Sequence, residues 1–341
     1  MKKIKPVLAL LLVLVFLLAG CGAGNKNNYG KVVAATYGDR TIYLDEANFW
    51  LRAGESSYSM YEQLYAQYYG IDFWTAESGR RAQTFADSLK EDVMAEFRQM
   101  NILLDHASEF NTELSDEELA KIDQAIIDMK SNFGTALFSE SVIGNYSDES
   151  LKQSLINRTK ALKVWHGVRE QATTSVADEE CKSFTLKFFR MNDESKTKDG
   201  ETEISGKAIA DLLEKELNAG KTFEDLTKDH SSLYFSTQSF RRSSTDDTSQ
   251  LFTTGQYMED GQVKQFTDTT TDSSSGATTP VYYVVLCVSA DDPIAAKNVR
   301  AELESEQKEA HFDKIFVEWQ KAAKKFSVKS AFTSLPLPGE K

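Results

Sequence analysis

Histidine, cysteine and proline are all scarce in this chain: four, three and five among 341 residues. The histidines stand at 106, 166, 230 and 311, never at metal-ligand spacing, and no C-x-x-C pair occurs. Neither a zinc site nor a thioredoxin-like redox motif is therefore expected, and no metal or cofactor is implied. Positive charge is also in deficit. Lysine and arginine number 39 against 52 acidic residues, a net charge of −13. Phosphate binding needs a basic face, so nucleic acid is not an expected partner. Internal repeats are absent. What is present is ordinary for a globular protein, with 41% apolar and 27% charged residues in a length suited to one large or two modest domains.

Lys2, Lys3 and Lys5 precede an unbroken apolar segment from Val7 to Leu18, followed by Ala19, Gly20 and Cys21. That run is too short to span a bilayer comfortably and has the flanks of a cleaved secretory signal. Its Leu18-Ala19-Gly20-Cys21 ending resembles the lipobox of bacterial lipoproteins. The resemblance implies cleavage before Cys21 and a lipid on its thiol; an ordinary signal peptide with a chance cysteine is the alternative. Residues 1–20 are thus expected to be a lipoprotein signal peptide and 21–30 a flexible polar tether. Cleavage would remove three of the 39 basic residues and move the net charge from −13 to −16. Anionic lipid would repel such a body, leaving the lipid on Cys21 to hold it. The remainder is expected at the extracytoplasmic face of the bacterial cell membrane, with no nucleotide as partner. There Cys181 and Cys287 leave two alternatives open, a disulfide or, for Cys287 in its apolar run, a buried free thiol.

Along the chain, Val32–Tyr37 and Thr41–Leu44 read as two short strands around Gly38-Asp39. Asp45-Glu46 opens a helix bearing Phe49, Trp50 and Leu51. Tyr58, Tyr61, Leu64, Tyr65, Tyr68 and Tyr69 follow at helical spacing and read first as core, with a client-binding surface as the alternative. Ala82, Phe85, Leu89, Val93, Phe97, Met100 and Leu104 predict a helix over 79–109. Ser115 starts another over 116–133, and Ser147 caps a third reaching about Gln171. Beyond Thr174 the pattern changes. Ser183–Met191 is strand-like, Ile204–Ala219 helical, and Lys221–Leu226 begins a short helix. Segments 243–249 and 267–279 read as Ser/Thr/Asp loops, and Val281–Ser289 as a buried strand. Pro293 opens a last helix to about Phe326, apolar along Val299, Leu303, Phe312, Ile315, Phe316, Trp319 and Ala323. Its apolar face predicts packing against the N-terminal helices.

Three segments resemble the PrsA-like foldase lipoproteins and SurA-like chaperones. Ala35–Glu46 looks like the hairpin and first helix of a SurA-type N-terminal domain. Ala208–Leu213, Leu217 and Ala219–Leu226, with their G-x-x-F-x-x-L pattern, are similar to the parvulin helices. Val281–Val288 looks like the last parvulin strand. The resemblance implies an α+β fold: a mainly helical SurA-like N-terminal domain over 31–175, completed by a C-terminal helix over 292–331, with an inserted parvulin-like α/β domain over 176–291 and a tail over 332–341.

Parvulins catalyse cis–trans isomerisation of X-Pro bonds, whose barrier of about 20 kcal/mol makes uncatalysed exchange slow. The family's polar site residues are not kept here. Phe188 stands at the first histidine position, Leu233 at the aspartate position and Tyr283 at the second histidine position. The implied function is a membrane-anchored chaperone or foldase for unfolded, exported polypeptides, with a weak or inactive isomerase domain. Phe188, Met191, Leu233, Phe252 and Tyr283 are the implied peptide-binding residues; alternatively Phe188, Leu233 and Tyr283 fill a collapsed pocket and leave a structural spacer. An active isomerase with a rearranged site is one alternative. A transporter's solute-binding lipoprotein is another, and it would require lobes built on parallel sheets. Asp229, His230 and Ser231 are consecutive and form no triad; His230 reads as a solvated helix end, with a relocated base as the alternative.

Overall fold

The computed structural model describes residues 29–80, 83–132, 146–192, 205–245, 247–271 and 276–337. The signal peptide, Cys21 and most of the tether lie outside these residues, as does the segment around Gly134. The chain divides into two compact units, one of Met1–Ala172 with His311–Lys341, the other of Thr173–Ala310. The fold class is α+β.

The first unit opens on β1 (Val33–Tyr37) and β2 (Arg40–Tyr43), an antiparallel pair turned at Gly38, whose φ of +55° favours glycine. Helix α1 (Leu44–Ser57) buries Phe49, Trp50 and Leu51. Helix α2 (Ser59–Tyr69) follows. Helix α3 (Phe85–Asp105) starts later than the apolar period alone predicts. Thr84 decides this: its hydroxyl accepts from the Asp87 amide, and the Asp87 carboxylate accepts from the Thr84 amide. Helices α4 (Asp116–Asn132) and α5 (Asp148–Glu170) match their expected spans closely. Leu151, Ala161, Val164 and Val168 of α5 join Leu89, Val93, Phe97 and Leu103 of α3 in one core. Arg158 is buried there, stacked 3.7 Å over the Trp50 ring and bonded to Glu96.

The last helix is Pro293–Ala322, and Phe312 and Phe316 from its later part belong to the first unit's core. Two features follow it that the sequence pattern did not reveal. Strand β7 (Phe326–Val328) pairs antiparallel with β1, giving the order β2-β1-β7. Phe332, Leu335 and Leu337, from the segment read as a tail, are buried in the same core.

In the second unit four strands form an antiparallel sheet. They are β3 (Ser183–Met191), β4 (Tyr234–Arg241), β5 (Val263–Thr271) and β6 (Thr278–Ser289), in the order β4-β3-β6-β5. Helices α6 (Gly206–Asn218) and α7 (Phe223–Asp229) contribute Ile209, Leu213, Leu217, Phe223 and Leu226 to a core on one face. The opposite face carries the short α8 (Gln250–Gly255). Two corrections arise here. Segment 267–279 is not simply loop: Thr267–Thr271 pairs with Thr278–Tyr282, because β-branched threonines suit a strand whose two faces are polar. Every strand pairing among the described residues is antiparallel, so the parallel-sheet lobes that a solute-binding reading required are not found there.

Candidate functional site

Strand alternation builds the site. In β3, Phe184, Leu186, Phe188 and Arg190 share one face, while Phe189 and Met191 share the other. The register sets Arg190 between Tyr234 of β4 and Tyr283 of β6, and Tyr283 beside Phe266 of β5. Across the α8 face, Phe188, Arg190, Tyr234, Gln238, Leu251, Asp268 and Tyr283, with Asp247 and Ser249 from the approach to α8, line a cleft of about 390 Å³.

Its floor is aromatic. The Phe188 ring lies 5.9 Å from Tyr283 and 6.4 Å from Tyr234, and Tyr283 stacks on Phe266 at 4.8 Å. Phe188 is 6% exposed and Tyr234 58%, so the floor grades from packed to open. The Ser249 hydroxyl accepts from the Phe252 amide and fixes the start of α8. Gly255 lets α8 approach closely: a Cβ there would stand 2.5 Å from both Leu186 and Phe184.

Polar groups ring this floor without forming a catalytic pair. One Asp247 carboxylate oxygen accepts from the Ser249 amide at 2.9 Å, and one of Asp268 from the Thr269 amide at 2.8 Å. No carboxylate among the described residues pairs with Arg190. Among the described residues the lining contains no histidine and no cysteine. The cleft can therefore stack on apolar and aromatic groups, donate from Arg190 and accept at two carboxylates, and its described residues hold no oriented acid–base couple.

The five expected peptide-binding residues do not come together. Phe188 and Tyr283 line the cleft. Phe252 lies in the core beneath it, against Phe184 and Phe240. Met191 and Leu233 pack on the opposite face with Phe189, Leu213 and Val284. The physical reason is parity: a step of three along a strand, from 188 to 191, changes face. Arg190, Tyr234, Gln238, Asp247, Ser249, Leu251 and Asp268 were missed. A step of two from Phe188 would have found Arg190.

His230 is buried rather than solvated, at 7% exposure. Its Nε2 stands 3.8 Å from the Glu216 carboxylate, and its Nδ1 has no partner among the described residues. It closes α7 and is not part of the cleft. Cys181 and Cys287 are both buried and free, so the disulfide alternative is not realised. Burial pushes the Cys287 thiol up from its ordinary range.

In the first unit, a second exposed surface stands on α2, none of whose residues is buried. Tyr58 and Tyr65 pack on Phe73, but Met60, Tyr61, Leu64, Tyr68, Tyr69 and Ile71 are exposed, the last two tyrosines at 70% each. The core reading thus holds for Tyr58 and Tyr65, which pack against the first unit's core, and is corrected for Tyr61, Leu64, Tyr68 and Tyr69. No lysine or arginine occurs from 53 to 79, and the segment includes Glu55, Glu62, Asp72 and Glu77.

No family model matches the chain, and no curated protein matches it. Among solved structures it is similar to the foldase protein PrsA of Lactococcus lactis, at 14% identity and a TM-score of 0.35, over 88% of this chain and 95% of that one. The foldase protein PrsA of Streptococcus pneumoniae is similar at 16% identity and 0.33, over 72% and 88%. A SurA-like chaperone of Campylobacter jejuni is similar at 12% and 0.28, over 88% and 100%. The chain is thus similar, at low identity and low TM-score, to PrsA foldases and SurA-like chaperones.

Proposed function

We propose that this protein is an extracytoplasmic chaperone, anchored by lipid on Cys21, that holds extended segments of exported polypeptides. In this reading 31–175 and 292–331 form a helical chaperone part, and 176–291 a parvulin-like part that binds with little or no isomerisation. The observation that carries it is the aromatic cleft. Phe188 and Tyr283 line it at the positions where the parvulin resemblance places histidines, and no histidine or cysteine replaces them among the described residues of its lining. Leu233, Met191 and Phe252 then support the floor from beneath and behind instead of touching the bound chain. The exposed aromatics of α2 support the same reading, since contiguous exposed apolar surface marks an interaction site.

Chemistry favours weak, sequence-tolerant binding. Rings and a few dispersed polar groups fit many side chains and fix none. An acidic body favours neutral to basic clients. The test is light scattering of a chemically unfolded client diluted into buffer with equimolar protein. Slowed aggregation is expected, with Tyr234→Ala less effective than the parent. Unchanged aggregation across several clients would end the proposal.

A further inference from the structure

The strand order leaves β4 and β5 as the two edges of the second unit's sheet. Exposed edges are ordinarily guarded by charge, proline or a bulge, because a row of unpaired N–H and C=O groups templates another chain. Strand β5 follows that rule, carrying Lys264 and Asp268. Strand β4 carries charge only at its last residue, Arg241. From Tyr234 to Phe240 it reads Tyr-Phe-Ser-Thr-Gln-Ser-Phe, with no charge and no proline. Its ladder to β3 is unbroken over eight residues, with no bulge to twist it away. Outside that ladder, no main-chain group of Tyr234–Phe240 has a hydrogen-bond partner among the described residues. Tyr234 and Gln238 from this same strand line the aromatic cleft.

We infer that β4 is a docking edge at which an extended polypeptide segment adds as a fifth strand of the sheet. This deepens the proposed function and rests on it. Strand addition draws its affinity from main-chain hydrogen bonds, which every polypeptide supplies, and places alternate side chains on each face. Those on one face would meet the cleft beside Tyr234 and Gln238; those on the other would meet Phe235, itself 47% exposed. The edge thus explains how a site without specific side-chain chemistry gains affinity for unfolded chains. The occupant is a neutral to basic extended segment and not a second copy of this protein. Pairing β4 with its own copy would bring together two bodies of net charge −13 each.

The test uses the whole protein and the probe acetyl-Lys-Thr-Val-Ser-Val-Thr-Val-Lys-amide, with a twin N-methylated at alternate residues. Binding is read by calorimetry and by hydrogen–deuterium exchange of the segment 234–241. The proposal expects slowed exchange in that segment on adding the parent peptide. It also expects affinity about tenfold weaker for the twin presenting its methylated edge, the loss of two or three main-chain bonds. Equal affinity for all peptides, with exchange at 234–241 unchanged, would overturn the docking edge and leave the cleft reading standing. No binding of any peptide would overturn both. Protection of 234–241 without peptide, in a species of twice the mass by sedimentation, would assign the edge to a second copy and overturn the proposal.

Discussion

The two faces of the β4-β3-β6-β5 sheet are made by the same strands and end differently. On one, α6 and α7 lay Leu213, Leu217, Phe223 and Leu226 over Phe189, Met191 and Val284. On the other, α8 covers Phe184, Leu186 and Phe240 but stops short of Phe188, Tyr234 and Tyr283, and a cleft remains. The covering helices explain the difference. Helices α6 and α7 together run far longer than the six residues of α8. One face is therefore closed by helices, and the other leaves aromatic surface uncovered.

Substitutions should separate the faces. Phe189→Ala, on the closed face, is expected to cost about 3–5 kcal/mol, since it removes a fully buried ring stacked on Phe223. Urea unfolding followed by a probe in the second unit would measure it; a loss below about 1 kcal/mol would mean the closed face is not the stabilising one. Gly255→Ala tests how tightly α8 sits. Its new methyl must displace Leu186 or Phe184, at about 1–3 kcal/mol, and should loosen the cleft's wall as seen in chymotryptic cleavage after Leu251 or Phe252.

Tyr234→Ala makes the opposite statement. With its ring mostly exposed, stability should move by no more than about 0.5 kcal/mol. Peptide affinity should drop about fivefold, the value of one aromatic contact. Equal losses in stability and affinity would erase the contrast between the faces. The smallest expected effect is on the polar clasp over the closed face, where Lys187 of β3 bonds Glu224 of α7. That hydrogen bond holds the Glu224 carboxyl below its ordinary range. Depression in the folded state means the contribution is present above the unfolded pKa, near 4.3, and fades as pH falls through the lower folded value. Glu224 is largely exposed and Lys187 partly so, so the pair's worth is at most about 0.5 kcal/mol, and Glu224→Gln should flatten the acid side of the stability curve by no more than that.

Legibility followed the strength of the local pattern. Helices α4 and α5 could be read because Ser115 and Ser147 cap long apolar periods. The start of α3 could not, since Thr84 and Asp87 settle it by a reciprocal bond that an apolar period overrides on paper. Strand β4 was invisible, because its first seven residues are neutral, with rings near both ends, and show no alternation. Strand β7 is three residues long and is defined only by its distant partner β1. At the site, Phe188 and Tyr283 were legible from the parvulin likeness, whereas Met191 and Leu233 were assigned across a sheet that separates them. Asp247 and Asp268 join the cleft through tertiary packing, which leaves no local signature.

The central claim is that the cleft holds polypeptide without rotating its prolyl bonds. Exchange NMR on a short Ala-Pro-Phe peptide, with and without equimolar protein, tests it most directly. The account predicts shifted or broadened peptide resonances at the spontaneous exchange rate, tens of seconds or slower at about 25 °C. Faster cis–trans exchange, abolished by Phe188→Ala or Tyr283→Ala, would contradict it, and so would resonances that the protein leaves untouched.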